Sequence, residues 1–375
     1  MSKPSQCMSI VAVAAAVLAL SCSPDFEPYW KIHDLRVMGI KVDPVVAKPF
    51  EPVALTALIY DPDDQELSYH WSWCPFRVSA QDDFHCPVSG EDLDELLAQL
   101  TPAGENGDGA DSSMGFGDDF FDLGEGESAT FINPFDTRQV REFCEAIRAE
   151  VIEQFDDPEM AGFLPGGDCD DGYEVTVRLH VESGDQSITA SKRFLLWGGA
   201  EEYNENPVIE DLQLRPQKPG DLDKLRDRAG WSVSANAGHD EQWISIPEDE
   251  PLAVLADIPL QLRTLVDPRS VLYYTPPTPA GPSPEEPEPR RESLVYRHFT
   301  TLGELESSRR IFAPDENTLT DASKTKFLIS NEDVDEECPE TSGQGCVVHL
   351  WAIVRDSRLG TDWMNRRLVV QGEPR

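Results

Sequence analysis

The side chains with the widest chemical range in this chain are seven histidines, eight cysteines and seventy carboxylates, and their spacing decides what chemistry they can support. His33, His70, His85, His180, His239, His298 and His349 are scattered, with no two within twelve residues, so none stands at the one-turn spacing of a helical zinc site. The chain holds no Gly-x-Ser-x-Gly turn for a strained nucleophile, no Gly-Lys-Ser/Thr loop for a phosphate and no Gly-x-Gly-x-x-Gly opening a helix. Catalysis would need residues from separate strands to converge, and the expectation is a protein that is not an enzyme. Two of seventy carboxylates will meet at a glycosidase-like separation by chance, and such a pair carries weight only in a cleft with a shifted pKa.

Calcium is the one cofactor the acidic residues suggest. Asp61, Asp63 and Asp64 lie in one Asp-rich turn, Asp118, Asp119 and Asp122 in an acidic stretch, and Asp168, Asp170 and Asp171 before a strand. Calcium takes six to eight oxygens, which short carboxylate loops supply. The third group reaches Gly172 one residue too early for an EF-hand and lacks its bidentate Glu. Solvated turns are the competing reading for all three groups.

The cysteines speak to compartment. Lys3 is followed by an apolar run, Ile10 to Leu20, which is the plan of a secretory signal and is too short for a bilayer core that needs about twenty helical residues. Leu18-Ala19-Leu20-Ser21-Cys22 resembles the lipobox of bacterial lipoproteins, with Ala19 and Leu20 in swapped order. The resemblance implies that residues 1–21 are removed and that Cys22 becomes the acylated N-terminus, joined to the fold by a tether over 22–33. Each buried methylene adds about 0.8 kcal/mol, so a multiply acylated cysteine anchors without a membrane helix. Cys7 leaves with the signal. Cys74, Cys86, Cys144, Cys169, Cys338 and Cys346 remain, an even set that reads as three disulfides in an exported chain. Sequence neighbours suggest 74 with 86, 144 with 169 and 338 with 346; Cys74 with Cys169 is a competitor. No pair has the spacing of zinc ligands.

Thirty-one basic residues against seventy acidic give a net charge of −39, which repels nucleic acid and anionic lipid head groups. The expected partners are a membrane, through the lipid alone, and an envelope protein or glycan.

The elements that must position these residues are strands. Pro52 to Pro62 and Pro259 to Pro268 are two copies of one alternating apolar pattern ending at Asp-Pro, and Leu67-Ser68-Tyr69-His70-Trp71 is echoed by Leu294-Val295-Tyr296-Arg297-His298. Each copy closes with an apolar strand pair, Tyr173–Val181 with Ile188–Leu196 and Cys346–Val354 with Trp363–Val370, joined by hairpin turns. Period two places Tyr69, Trp71 and Trp73 on one face, which is a core face in a sandwich and a sugar platform if exposed.

Residues 75–170 read as an insertion in the first copy. Two capped helices are expected there. Ser89 opens one with Leu93, Leu96, Leu97 and Leu100 on one face; Asp136 with Gln139 opens another with Val140, Phe143, Cys144, Ile147 and Val151 aligned. Ala103–Ser128 between them is poor in apolar residues and reads as a mobile loop. In the second copy, residues 216–250 show no clear period, and Tyr274–Arg290, with seven prolines, reads as a stiff surface loop.

Asp61-Pro62-Asp63-Asp64-Gln65-Glu66-Leu67-Ser68-Tyr69-His70-Trp71 resembles the Asp-rich turn and Leu-x-Tyr-x-Trp strand of bacterial immunoglobulin-like repeats of the PKD and cadherin-like kind. The layout of a lipobox and two such units is similar to surface lipoproteins of Gram-negative bacteria. The resemblance implies a mainly β fold of two Ig-like sandwiches, over 34–197 and 207–375 with 198–206 as a mobile linker, lipid-anchored in the outer membrane. It implies no activity. A non-catalytic binding or structural module is the expected function, with a calcium-dependent adhesin or glycan binder and an envelope hydrolase as alternatives.

Overall fold

The structure is a computed structural model that describes residues 28–91, 93, 118–155, 169–199, 204–232, 242–275, 288–338 and 345–371. The chain is mainly β and forms two Ig-like sandwiches. In its first half run β1 (Arg36–Asp43), β2 (Val46–Ala47), β3 (Pro52–Tyr60), β4 (Leu67–Cys74), β5 (Asp122–Gly124), β6 (Ser128–Ile132), β7 (Gly172–Ser183) and β8 (Gln186–Trp197). One sheet has the order β1-β3-β6 and the other β2-β8-β7-β4-β5. The second half repeats this. Its strands are β9 (Ile209–Pro216), β10 (Ile244–Ser245), β11 (Leu252–Leu255), β12 (Leu260–Val266), β13 (Tyr273–Tyr274), β14 (Arg290–Arg291), β15 (Leu294–Thr300), β16 (Glu304–Leu305), β17 (Arg309–Phe312), β18 (Lys324–Leu328), β19 (Cys346–Asp356) and β20 (Thr361–Gln371).

The sheets of the second half are β10-β9-β12-β18-β16 and β11-β20-β19-β15-β17. Matching β1-β3-β6 to β9-β12-β18 and β2-β8-β7-β4-β5 to β11-β20-β19-β15-β17 preserves chain order throughout. Even the parallel edge pairs correspond, Val46 with Leu195 and Leu252 with Leu368. The sequence repeat is therefore a repeat of topology, and β3 and β4 are the counterparts of β12 and β15.

Residues 75–170 hold the partly helical, disulfide-bearing stretch expected there, and they also carry strands of both sheets. β5 pairs with β4 and β6 with β3, so the stretch supplies a strand to each sheet. The parts without counterparts are the connections on either side, including α1 (Thr137–Phe155). The α1 cap is reciprocal as its residues predict: the Gln139 amide donates to Asp136 Oδ1 at 2.8 Å and the Asp136 amide to Gln139 Oε1 at 2.9 Å. Val140, Phe143 and Cys144 are buried in the first core, with Ile147 packed against it. Of the earlier helix, Leu93 is buried and its amide bonds to the Ser89 carbonyl; Leu96, Leu97 and Leu100 lie outside the described residues.

Trp71 and Trp73 are in the first core and Tyr69 packs at its margin, which answers the aromatic row as core. Each indole N–H finds a carbonyl, Trp71 on Gly126 at 2.9 Å and Trp73 on Phe120 at 3.0 Å. The disulfides join Cys74 to Cys86, Cys144 to Cys169 and Cys338 to Cys346. Register removes the competitor. Cys74 stands opposite Thr176, inside β7, whereas Cys169 lies in the turn that precedes Gly172 and is bonded to Cys144.

Residues 216–250 hold α2 (Asp221–Ala229), whose Leu222 and Leu225 enter the second core and which stops at Gly230 in the left-handed region, φ 72°. Two further helices, α3 (Leu319–Ala322) and α4 (Asn331–Glu337), flank β18. Among the described residues no helix is long and apolar enough to cross a membrane.

The halves share an apolar cluster. Met38 and Leu58 from the first meet Phe299, Trp351 and Ile353 from the second, with Ile32 between them. β19 is thus covered on both faces: Val348, Leu350 and Ala352 enter the second core while Trp351 and Ile353 face the first half. The expected tether is part of this contact. The Thr300 amide donates to the Trp30 carbonyl at 3.0 Å and the Ile32 amide to the Thr300 carbonyl at 2.9 Å, so 28–32 lies on β15. Lys31 adds an ion pair with Glu337 at 3.3 Å. Within the expected tether over 22–33, Trp30 and Ile32 are thus bonded to Thr300.

Candidate functional site

The predicted calcium ligands do not gather. Asp61 closes its own turn, accepting from the Asp63 amide at 3.1 Å, the Gln65 amide at 3.0 Å and Ser183 Oγ at 2.8 Å. Burial alone would raise the Asp61 carboxyl, but these hydrogen bonds outweigh it and hold it below its ordinary value. Asp63, Asp64 and Asp119 are exposed. Asp122 Oδ1 accepts from the Gly124 amide at 2.7 Å, and Asp170 faces Arg141 at 3.2 Å. Among the described residues no three His, Cys, Asp or Glu side chains converge as a metal ion needs. Asp168 and Cys22 lie outside the described residues, and of the Asp118 side chain nothing is shown.

The outer face of β4, β5 and β7 carries an open cleft of about 440 Å³, lined by Ser68, Tyr69, His70, Glu125, His180 and Glu182 among others. His70 and His180 are cross-strand partners. His180 Nδ1 is 2.9 Å from Thr189 Oγ1 and its Nε2 is 3.3 Å from Glu182 Oε1. A hydroxyl, an imidazole and a carboxylate in line could in principle activate a nucleophile. Here they are neighbours on a flat strand face, where ladder bonds to β4 and β8 use the backbone amides of β7 and leave none to stabilise an oxyanion. Ser68 Oγ donates to Glu182 at 3.3 Å and not to an imidazole.

A second cluster of charge is buried where the halves meet. Asn204 donates to Asp356 Oδ2 at 2.8 Å, and Asn206 bridges the Val42 carbonyl at 2.9 Å and the Thr361 amide at 2.9 Å. The expected linker is therefore pinned at both asparagines. Lys41 pairs with Asp362 at 3.0 Å and Lys192 donates to Thr361 Oγ1 at 2.7 Å, both across the junction. Burial, with Arg355 adding, pulls the Lys192 ammonium down to about 8. Glu292 is 1% exposed, with Arg358 Nε 3.2 Å from its Oε1. Burial, with Asp356 adding and Arg358 opposing, pushes its carboxyl up to about 7. A Cβ on Gly360 would fall 2.1 Å from Asp356 Oδ2, so any side chain here would have to displace the carboxylate that holds Asn204.

The third cluster sits on the outer face of the β9-β12-β18 sheet. Period two and antiparallel register lay out two rows there, Gln213-Arg263-Lys324 and Arg215-Gln261-Lys326. Trp243 joins them, with the Arg263 guanidinium 4.1 Å and the Arg215 guanidinium 4.7 Å from its ring centroid. Arg215 Nε donates to Gln261 Oε1 at 2.8 Å, and Arg263 Nε to Gln213 Oε1 at 3.2 Å. Burial, with Arg215 adding and Asp211 opposing, lowers the Arg263 guanidinium from its usual value. Asp321 lies 3.7 Å from Lys324, and Glu306 pairs with Lys326.

Sequence reading missed this face because its members are spread over 213–326. The signal was there: outward positions of three alternating strands carry Arg, Gln and Lys in a chain with more than twice as many acids as bases. Of the Pro-rich loop, 276–287 lie outside the described residues; its ends pair as β13 and β14, with Arg290 stacked on Tyr274 at 5.7 Å.

These features define the class: a disulfide-bonded, mainly β protein of two Ig-like sandwiches. No family profile matches the chain, and none of the curated proteins compared with it matches. Among solved structures, the three N-terminal domains of the highly immunogenic outer capsid protein Hoc of bacteriophage RB49 are similar at 12% identity, covering 91% of this chain and 71% of that one with a TM-score of 0.19. A likeness at that level carries no weight for fold or function.

Proposed function

We propose that the chain is an exported cell-envelope protein, acylated at Cys22, that acts as a non-catalytic binding or structural module built of two repeats of the PKD and cadherin-like kind. The observation that carries this reading is the state of the cysteines. All six that follow Cys22 stand in disulfides, which persist in oxidising compartments outside the cytosol. The two modules would span 34–197 and 207–375, in the outer membrane of a Gram-negative bacterium.

The non-catalytic reading is supported by the histidine cleft, where ladder bonds to β4 and β8 use the amides of β7, and by the Asp61 carboxylate, which closes its own turn. Because 28–32 is docked on β15, five residues lie between Cys22 and Pro28, six steps that span about 20 Å when extended. Both sandwiches would then lie close to the membrane. Replacing Cys22 with Ala in cells fed labelled palmitate is expected to abolish incorporation into the protein. Undiminished label in the Ala variant would remove the anchor.

A further inference from the structure

We propose that the face formed by Tyr29, Arg36, Arg297, Arg309 and Arg355 docks on the phosphate groups of an anionic phospholipid bilayer. This rests on the envelope reading, in which Cys22 brings the face to the membrane. The chain carries seventy acidic side chains against thirty-one basic ones, yet four arginines gather here. Antiparallel register sets Arg297 on β15 opposite Arg309 on β17. The guanidiniums of Arg36, on β1, and Arg297 lie 5.1 and 5.6 Å from the centroid of the Tyr29 ring, so each half supplies one cation to the same aromatic. Arg355 joins them from β19. Burial, with Arg297 adding and Tyr29 opposing, lowers its guanidinium from its usual value. The polar contacts of the group go to carbonyls: Arg36 donates to Tyr29 O at 2.8 Å and Arg355 to Met38 O at 3.3 Å. Among the described residues no carboxylate pairs with any of the four.

The layout favours a bilayer over a soluble anion. A pocket for one free phosphate would enclose it, whereas these guanidiniums are spread over β1, β15, β17 and β19. Apolar surface lies beside them: Tyr29 is 60% exposed, and Ile311, on the same face of β17 as Arg309, is 43% exposed. Cations mixed with such side chains suit the head-group layer, where tyrosine rings sit at the membrane–water interface. Guanidiniums hold phosphate oxygens through paired hydrogen bonds. Seven steps separate Tyr29 from Cys22, about 23 Å when extended, so an anchored chain can lay this face on the surface. The net charge of −39 predicts repulsion from anionic head groups, but this face has the opposite sign. Acids farther off than a Debye length of about 8 Å are screened, while arginines in contact are not.

Cosedimentation of the mature chain carrying Cys22→Ala with lipid vesicles tests the proposal, since no acyl group then contributes. Binding is expected to vesicles of phosphatidylglycerol and phosphatidylcholine in equal parts, weakening as salt rises, and none to phosphatidylcholine alone. One basic residue at a bilayer surface is worth about fivefold in partitioning, so Arg297→Gln and Arg309→Gln are each expected to weaken binding by about that factor. Lys224→Gln removes the same charge from α2, which packs on β11 at the other edge of the sheet, and is expected to leave binding unchanged. Thermal midpoints report folding, and Arg309, at an exposed position, keeps the test open if Arg297→Gln unfolds. No binding, equal binding to phosphatidylcholine, an equal loss in Lys224→Gln, or affinity unchanged in folded Arg309→Gln would overturn the proposal. Tighter binding of a short DNA duplex, lost in the same variants, would overturn it in favour of a nucleic acid. Palmitate labelling of the natural chain reports on the anchor independently of these outcomes, so the two readings fail separately.

Discussion

Trp351→Ala is expected to destabilise the protein by about 3–5 kcal/mol, the range for removing a buried Trp side chain, and to split its thermal unfolding into two transitions. Trp351 is 2% exposed although it points away from the second core. It fills the space between the halves, against Met38, Leu58, Ile32 and Ile353. The Tyr60 ring meets it edge-on at 5.0 Å and the His349 ring stacks on it at 5.5 Å. Removing the indole leaves a cavity in the cluster that couples the halves while leaving each core intact. Calorimetry checks this. One transition at an unchanged midpoint would show that the halves do not depend on this contact.

The second large effect is on pH. The folded state holds the Glu292 proton up to about 7, whereas an unfolded carboxyl releases it near 4.5. Between these values the folded state binds more protons, so the contribution of Glu292 is fully present below pH 4.5 and is lost as pH rises through 7. Gln at this position is neutral throughout. The stability of Glu292→Gln minus that of the natural protein is therefore expected to rise by roughly 3 kcal/mol between pH 4.5 and 7.5. The difference isolates this site. His298, which burial with Arg310 adding lowers to about 4, contributes a slope of opposite sign in both proteins and cancels. Lys192, lowered to about 8, is likewise present in both proteins and cancels. Urea titrations at several pH values provide the measurement, and a flat difference would show that the junction does not strain this carboxyl.

Local and periodic features were legible in the sequence. The strand pairs, the cap at Asp136 and Gln139, the buried Trp71 and Trp73 and the neighbouring disulfides each follow from residues within one or two elements. Relations between distant elements were not. β5 and β6 were hidden in the expected insertion because Asp122–Gly124 and Ser128–Ile132 are short and flanked by acids and glycines. The junction left a trace that alternation misses: Leu350-Trp351-Ala352-Ile353-Val354 is apolar without a break, as in a strand covered on both faces. Nothing local in Trp30 or Ile32 marks them as partners of Thr300. The Arg215-Trp243-Arg263 face needed the register of β9 and β12 before its rows could be seen.

Export, acylation and disulfide formation can be read together from the intact mass of the protein extracted from its native membrane. The account predicts a species spanning residues 22–375, lighter by six hydrogens for three disulfides and heavier by the acyl groups on Cys22. A chain that begins at Met1 with eight free thiols would contradict it.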